Sequence, residues 1–280
     1  MNYRWIAPGL LAGRLNPCPT LRNSRSVWFR FLVPFLAFGT APLLLGAFAN
    51  FEGAQTNPIR LSADGTRLFA VNTPAARLSV FDVTRPSSPA LIVEIPVGLE
   101  PVSVNPRTND EVWVVNQVSD SVSVISVSKG IVTDTIQVSD EPMDVVFAGS
   151  NQAFVSVSRS NEIRVIDTNT HVIKKIIPVF GGNPRALAVS PSGASVYAAF
   201  ALSGNGTTVV PAQASPAQLL KPAHLPPPPQ VALIIKADDP LWSWLIKYSL
   251  PDNDVVEIDT QALSVAGYFN HVGTSISAWR

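Results

Sequence analysis

Few side chains of this sequence have the spacing that catalysis or metal binding requires. Three histidines have no partner at the spacing of a metal site: His171, His224 and His271. The single cysteine, Cys18, excludes the paired cysteines of a haem-attachment motif. Ser190 and Ser192 flank a proline and lack the glycines that frame a nucleophilic serine in Gly-x-Ser-x-Gly. The sequence therefore predicts no catalytic residue, no metal site and no bound cofactor.

Two tryptophans are the best candidates for recognition. Trp242 and Trp244 alternate, which predicts a strand with both indoles on one side, where they stack on a sugar or bind an apolar partner segment. Asp238 and Asp239 precede them and have the chemistry to orient hydroxyl groups of a ligand, although adjacent acids in a loop are commonly only solvated. The alternative for both tryptophans is structural, because buried indoles would fix this segment to the rest of the protein.

The elements around these residues repeat. Prolines recur at Pro58, Pro101, Pro142 and Pro184, at intervals of 43, 41 and 42 residues, and each opens the same succession of apolar alternation and turn residues. Each interval has room for four short strands. Repeats of about 40 residues built from strands are typical of a β-propeller, in which one repeat forms one four-stranded blade. The sequence thus predicts an all-β propeller over residues 50–280, with blades starting near 57, 100, 141 and 183.

The fourth repeat is interrupted. Its next third-strand pattern, Val255–Thr260, lies 92 residues after the equivalent position near Asp167, so about 50 residues are inserted at about 204–250. The insertion contains Trp242 and Trp244, a proline run at 226–229 and the apolar segment 231–235. Long insertions in repeat proteins form loops on one face, often the binding face.

The repeats resemble a known family. Val165-Ile166-Asp167-Thr168 and Ala188-Val189-Ser190-Pro191-Ser192-Gly193, together with Val71-Asn72 and Val115-Asn116, resemble the YVTN β-propeller repeat of bacterial periplasmic and surface proteins and archaeal surface-layer proteins. The resemblance implies the blade architecture. It leaves the function open, since one fold serves many functions.

Three functions remain after this resemblance. The first is a non-enzymatic binding or scaffold protein of the cell envelope, with an envelope protein or a glycan as partner. The second is a lactonase-like or redox-associated propeller enzyme, for which Glu100, Glu141 and Arg185 would have to converge at the central channel. Because these residues recur at equivalent repeat positions, a structural role is favoured for them. The third is an architectural surface-layer component.

The number of repeats is small for this family, which commonly closes seven blades. Four blades and a trailing third and fourth strand are recognisable, so we expect about four to five blades. We therefore expect an incomplete or open ring, produced either by truncation of the gene product or by a small propeller that closes through association.

The N-terminal segment predicts export. Residues 1–49 contain five arginines and no acidic residue, and the run from Phe31 to Phe51 is uncharged. The small residues Ala47 and Ala49 fit signal-peptidase cleavage before Asn50, and an uncleaved anchor that spans the membrane through residues 27–49 is the alternative. Either arrangement places the propeller in the periplasm or at the cell surface.

Charge argues against a nucleic-acid partner. Residues 50–280 contain 15 Lys and Arg against 20 Asp and Glu, a net charge of −5. Binding to a phosphate backbone depends largely on clustered basic residues, and the one basic pair, Lys174-Lys175, is better explained as a solvated face.

Cleavage of the signal gives a first prediction. Intact-mass measurement of the exported protein is expected to yield the mass of residues 50–280, because Ala47-Phe48-Ala49 presents small residues at the cleavage site. A mass that retains residues 1–49 would show an anchor instead.

Overall fold

The computed structural model describes residues 54–211 and 232–272. These residues belong to a compact unit, Asn50–Arg280, that is separate from Met1–Ala49. The predicted signal segment and the proline run at 226–229 lie outside the described residues. Within the described ranges the chain forms 18 strands and no helix, so no helix there has the length and hydropathy to cross a membrane.

Sixteen of these strands form four sheets of four. The first sheet contains β1 (Ile59–Leu61), β2 (Arg67–Asn72), β3 (Arg77–Asp82) and β4 (Ala90–Pro96). The second contains β5 (Pro101–Pro106), β6 (Glu111–Asn116), β7 (Ser121–Ser126) and β8 (Ile131–Gln137). The third contains β9 (Pro142–Ala148), β10 (Gln152–Val157), β11 (Glu162–Asp167) and β12 (Ile173–Pro178). In each sheet consecutive strands pair antiparallel, which confirms the predicted four-stranded blades of an all-β propeller.

The fourth sheet is completed after the insertion. It contains β13 (Gly182–Val189), β14 (Ser195–Leu202), β17 (Val255–Asp259) and β18 (Ser264–Phe269). Between β14 and β17 the chain forms a separate hairpin of β15 (Thr207–Pro211) and β16 (Ala232–Lys236). The interrupted fourth repeat is confirmed, because β17 pairs with the free edge of β14, with Val256 opposite Ala198. The expectation that the trailing third and fourth strands add a part of a fifth blade is wrong, since they complete the fourth sheet.

The first proline of the repeat is displaced. Pro101, Pro142 and Pro184 lie opposite Asn116, Val157 and Phe200, near the end of the second strand of each sheet. In the first sheet, the carbonyl of Pro58 accepts a hydrogen bond from the amide of Val71 instead. Pro58 is therefore structurally equivalent to Ser103 and Asp144, each of which lies two residues after the repeat proline of its own sheet.

Apolar side chains from neighbouring sheets form three cores. The first and second sheets share a core that includes Phe69, Val80, Val112, Val114 and Ile125. The second and third share one that includes Trp113, Val122, Met143, Val155 and Ile166. The third and fourth share one that includes Phe154, Ile163, Val196, Phe200 and Ile258. Because the second sheet supplies both of its faces to such cores, the predicted runs of consecutive apolar residues in β6 and β7 are accounted for.

The third position of every second strand is aromatic. Phe69, Trp113 and Phe154 are fully buried, and each packs on the sheet that follows in the chain. Tyr197 has the same position in the fourth sheet and is only half-buried. The blade interface thus has a direction, with an aromatic side chain entering the aliphatic face of the next sheet.

The inner strands of all four sheets meet at one carboxylate. Asp144 on β9 is fully buried, and its Oδ1 accepts the Ser103 hydroxyl at 2.5 Å and its own neighbour's amide, Val145 N, at 2.9 Å. Its Oδ2 accepts the Asn57 side-chain amide at 2.5 Å and the Leu187 amide at 2.9 Å. Asn57 precedes β1, Ser103 lies on β5 and Leu187 on β13. All four acceptor positions of the carboxylate are therefore used.

Burial dominates the titration of this group. Removal from water raises the pKa of Asp144 to about 6, although the hydrogen bonds from Ser103, Leu187 and Val145 and the charge of Arg60 act in the opposite direction. The folded state then keeps the proton between about pH 4 and pH 6, where the unfolded chain has released it. Stability from this group is complete below about pH 4 and is lost as the pH rises through about 6.

Replacement of Asp144 by Asn tests this arrangement. Asn has an NH2 group in place of one carboxylate oxygen, and this group cannot accept the two hydrogen bonds that the oxygen accepts. We therefore expect a loss of about 1–3 kcal/mol in unfolding free energy at pH 7. The difference in unfolding free energy between wild type and the variant is expected to narrow by about 3 kcal/mol from pH 4 to pH 7, because only folded wild type has the Asp144 carboxyl that loses a proton in this range. Urea unfolding across this pH range measures both quantities, and a pH-independent difference would contradict the assignment.

Candidate interaction surface

The insertion lies at one end of the sheets. The connections from second to third strand, at 73–76, 117–120 and 158–161, lie at the same end, and so do the connections between sheets, because Pro101 is opposite Asn116 and Arg77 is opposite Pro96. We call this end, with residues 203–211 and 232–254 of the insertion, the insert rim. The opposite rim contains the connections from first to second and from third to fourth strands.

The insertion hairpin has two different faces. Val210 is buried, and Thr208 on the same face hydrogen-bonds the hydroxyl of Tyr248 at 2.8 Å. On the other face Val209 lies opposite Ile234, and their side chains are 62% and 76% exposed. An antiparallel hairpin alternates its side chains in this way, so one apolar face packs and the second meets solvent.

Hydrogen bonds connect the insertion to the fourth sheet at its base. The Asp252 carboxylate accepts the amide of Gly206 at 3.0 Å, and a side chain on Gly204 would collide with that carboxylate. Asn253 donates its side-chain amide to the carbonyl of Phe180 in the connection from the third sheet. The start of the hairpin is therefore attached to Asp252, and the next residue, Asn253, is attached to the connection between the third and fourth sheets.

The two tryptophans lie on a turn, and the prediction of a strand there is wrong. Pro240 follows β16, and the carbonyl of Trp242 accepts the amides of Leu245 at 2.8 Å and Ile246 at 3.1 Å, which coils residues 240–245 into consecutive turns. Alternation therefore does not put both indoles on one side. Trp242 is buried at 6% exposure, whereas Trp244 is 58% exposed and donates its indole N–H to the carbonyl of Leu241.

The two aspartates divide in the same way. Asp238 is exposed at the end of the hairpin. Asp239 is half-buried and its carboxylate accepts the amide of Leu241, so it begins the turn that contains the tryptophans. Of the four predicted site residues, Trp244 and Asp238 are thus accessible to a partner, while Trp242 and Asp239 are engaged in the turn. Binding by these residues stays a prediction.

The exposed side chains of the described part of the insertion and its base include a group of large apolar ones. More than half of each of six large apolar side chains is exposed there: Leu202, Val209, Ile234, Leu241, Trp244 and Tyr248. Three further exposed apolar side chains lie on the connections of the same rim: Leu99, Val118 and Phe180. Single exposed apolar residues are common, whereas a group of them on one rim is typical of an interaction site.

A pocket of about 230 Å³ lies on the opposite rim between the second and third sheets. Arg107, Gln152 and Thr168 line it, and the Oε1 of Gln152 and the Oγ1 of Thr168 are buried without a hydrogen-bond partner among the described residues. Arg107 is paired with Glu111 at 2.8 Å. A pocket of this size and polarity has room for a few water molecules or one small polar molecule.

A histidine beside this pocket has a partner that its spacing did not suggest. The Nδ1 of His171 lies 2.6 Å from a carboxylate oxygen of Asp134, and its ring meets that of Trp113 edge-on at 5.6 Å. The hydrogen bond from His171, with one from the amide of Thr135, lowers the pKa of Asp134. The two residues are 37 positions apart and meet only because successive sheets pack together.

The acidic residues of the enzyme alternative lie in backbone positions that recur. Glu100, Glu141 and Asn183 each precede a repeat proline and have left-handed φ angles of 50°, 58° and 55°. The side chain of Glu141 pairs with Arg159 at 3.3 Å rather than with Arg185. In the described ranges, no group of three or more His, Cys, Asp or Glu side chains is arranged as a metal site.

Comparisons with known proteins show the fold alone. No family model and no curated protein matches the chain. Hydrazine synthase of Kuenenia stuttgartiensis is similar in structure with a TM-score of 0.54 and 20% identity, over 79% of this chain and 51% of that chain. A protein of unknown function from Desulfotomaculum acetoxidans has a TM-score of 0.53 and 10% identity, over 78% of this chain and 57% of that one. This chain therefore spans about half the length of these solved structures and shares with them the β-propeller fold.

Unequal burial of the two tryptophans gives a prediction. Trp242→Ala removes a buried indole and is expected to lower the local stability of the insertion by about 3 kcal/mol, which accelerates proteolytic cleavage there on the order of 100-fold. Trp244→Ala serves as the matched control, with cleavage within about twofold of wild type. Equal cleavage rates of the two variants would contradict the different environments of these indoles.

Proposed function

We propose that this protein is an exported, non-enzymatic β-propeller that acts as a binding or scaffold protein of the cell envelope. The group of exposed apolar side chains on the insert rim is the observation that supports it most strongly. The four packed sheets supply a rigid support, and the insertion supplies a surface that the repeats do not have. Binding residues of repeat proteins are commonly found on such insertions.

A protein partner fits this surface better than a glycan. Val209, Ile234 and Leu241 are aliphatic and more than 60% exposed, and they outnumber the exposed aromatic side chains beside them. Aliphatic groups contribute to binding by burial of apolar area, while sugars need flat aromatic rings and hydrogen-bonding groups around them. Trp244 would be the central anchor, as tryptophan often is in protein interfaces.

Export and family are part of the same proposal. The arginines and the uncharged run of residues 1–49 support delivery of the propeller to the periplasm or the cell surface. The YVTN-type repeat residues agree with that location. An architectural role in a surface layer would use the same rim, with a second protein of the layer as the partner.

An enzymatic function has less support. Asp144 accepts hydrogen bonds from all four sheets, and these four bonds occupy every acceptor position that a general base would need. His171 and Asp134 form a polar pair, but among the described residues no serine or cysteine side chain hydrogen-bonds this histidine. The observations therefore favour binding through the insert rim over chemistry at Asp144 or at the pocket.

Three substitutions on the insert rim test the proposal. A triple variant that combines Ile234→Ser, Leu241→Ser and Trp244→Ser makes the apolar surface polar. We expect the immobilised variant to retain envelope proteins about tenfold less than wild type, because loss of interface anchors weakens binding. Retention is quantified by mass spectrometry, and a glycan array is probed with the same proteins.

A matched triple variant at or next to the start of the fourth strands, on the side of the opposite rim, is the control. Ile92, Ile131 and Val172 are 53%, 52% and 60% exposed, and their replacement by Ser is expected to leave retention within about twofold of wild type. Equal retention by the two triple variants would refute the rim as the binding surface. Glycan binding that depends on Trp244 would replace the protein partner by a sugar.

A further inference from the structure

The first and fourth sheets each have a face that no other described sheet covers. We propose that these two faces bind each other between two copies of the chain, so that copies associate head to tail through the same blade packing that the chain uses internally. The face of the first sheet that points away from the second sheet is called the first face. The face of the fourth sheet that points away from the third is called the last face.

The first face has an apolar, accessible row and a mixed row. Leu61, Leu68 and Phe81 lie side by side across β1, β2 and β3, and the next row contains Ile59, Ala70 and Ser79, whose hydroxyl donates to the Glu94 carboxylate on β4. Ile59 and Leu61 are 58% and 56% exposed, and the other three apolar side chains are half-buried. The opposite face of the same sheet contains Phe69 and Val80, which are fully buried against the second sheet. One side of this sheet thus forms a core, and the other resembles a core without a partner.

Equivalent positions in the next two sheets show what covers such a face. In the second and third sheets, the positions equivalent to Leu68, Ala70 and Phe81 are fully buried. In the second sheet they are Val112, Val114 and Ile125, which pack on the first sheet. In the third sheet they are Ala153, Val155 and Ile166, which pack on the second sheet. The covering surface is in each case the face that bears the aromatic third residue, Phe69 or Trp113. A surface with that aromatic residue is therefore the expected occupant of the first face.

The last face is such a surface. Tyr197 has the position of Phe69, Trp113 and Phe154, and its ring lies 6.2 Å from that of Phe269. Ala188 lies opposite Tyr197 and is exposed, whereas its equivalent in the third sheet, Val146, is buried against the fourth sheet.

The one acidic residue in the middle of the last face is hydrogen-bonded within the face. Glu257 accepts the hydroxyls of Ser195 at 2.8 Å and Tyr197 at 3.2 Å. The last face thus presents an aromatic and small-residue surface of the kind that already packs in this protein on three aliphatic faces.

A second copy is the occupant because one chain has both halves of the interface. The two faces are different surfaces, so the contact between copies is heterologous. Such a contact closes into a ring if the rotation between copies is right, and otherwise it extends into longer assemblies. In both cases each added copy covers one first face and one last face, and the apolar area removed from water stabilises the assembly.

Substitution of one exposed residue in each face tests this arrangement. Leu61→Arg places a charge on the first face and Ala188→Arg places one on the last face, both at exposed positions where the fold tolerates change. Sedimentation velocity of the full chain is expected to show concentration-dependent association for wild type, and at least tenfold weaker association for each variant alone. Val172→Arg, at an exposed residue of the opposite rim, is the control and is expected to associate as wild type does.

Mixing the two variants gives the decisive result. The Leu61→Arg protein keeps an intact last face and the Ala188→Arg protein keeps an intact first face, so an equimolar mixture is expected to form one-to-one dimers that grow no further. Wild-type chain that stays monomeric on the order of 100 μM, or a mixture that stays monomeric while wild type associates, would overturn the proposal. The insert-rim variants keep both faces and are expected to associate as wild type does, so this result is independent of the partner on that rim.

Discussion

The buried carboxylate of Asp144 is the interaction on which the arrangement of the four sheets depends. A charged or polar group without water is tolerated only if its hydrogen-bonding capacity is used, and here the donors come from residues before β1, on β5, on β9 and on β13. Each donor belongs to a different sheet. The inner strands can satisfy the carboxylate only when all four sheets have their places around it, so one polar group determines the position of four apolar elements.

Outside this centre the protein is built by repetition. Between successive sheets, an aromatic residue of one second strand packs on the aliphatic positions of the next, and this contact occurs three times, at Phe69, Trp113 and Phe154. This packing depends only on contacts between neighbouring sheets and does not fix the position of more distant ones. Tyr197 on the last face and Leu68 on the first face belong to an equivalent aromatic surface and aliphatic surface that no other described sheet covers. The self-association inferred for this chain would therefore use the same packing that forms its cores. The insertion is different in kind, because it contributes an apolar surface without adding a blade.

The sequence predicts what is local and misses what is not. Alternation and turn residues locate nearly all strands of the first three sheets, since strand formation there depends on side chains two positions apart. The tryptophan turn was missed because Trp242 and Trp244 also have a spacing of two, while Pro240 and the Asp239 side chain coil the segment. The pairing of β17 with β14, the bonds to Asp144 from the other three sheets and the contact of His171 with Asp134 join residues at least 37 positions apart. No periodicity of a single strand reports on such contacts.

The candidate surface was located in part. Its place in the insertion follows from the interrupted repeat, and Trp244 is exposed as a binding residue must be. The aliphatic part of the surface, Val209, Ile234 and Leu241, was not recognised because exposure of one hairpin face depends on which face packs on the protein. The hydrogen bonds between Thr208 and Tyr248 and between Gly206 and Asp252 hold the hairpin with this face outward.

Native-state hydrogen exchange tests most directly whether Asp144 unites the four sheets. Peptides that contain the inner strands β1, β5, β9 and β13 are compared by mass spectrometry between wild type and the Asp144→Asn variant at pH 7. If the carboxylate connects the sheets, protection falls in all four peptides by a similar factor, because they open as one cooperative unit. A loss of protection confined to β9 and its own sheet would show that the sheets are stable independently and would contradict this account.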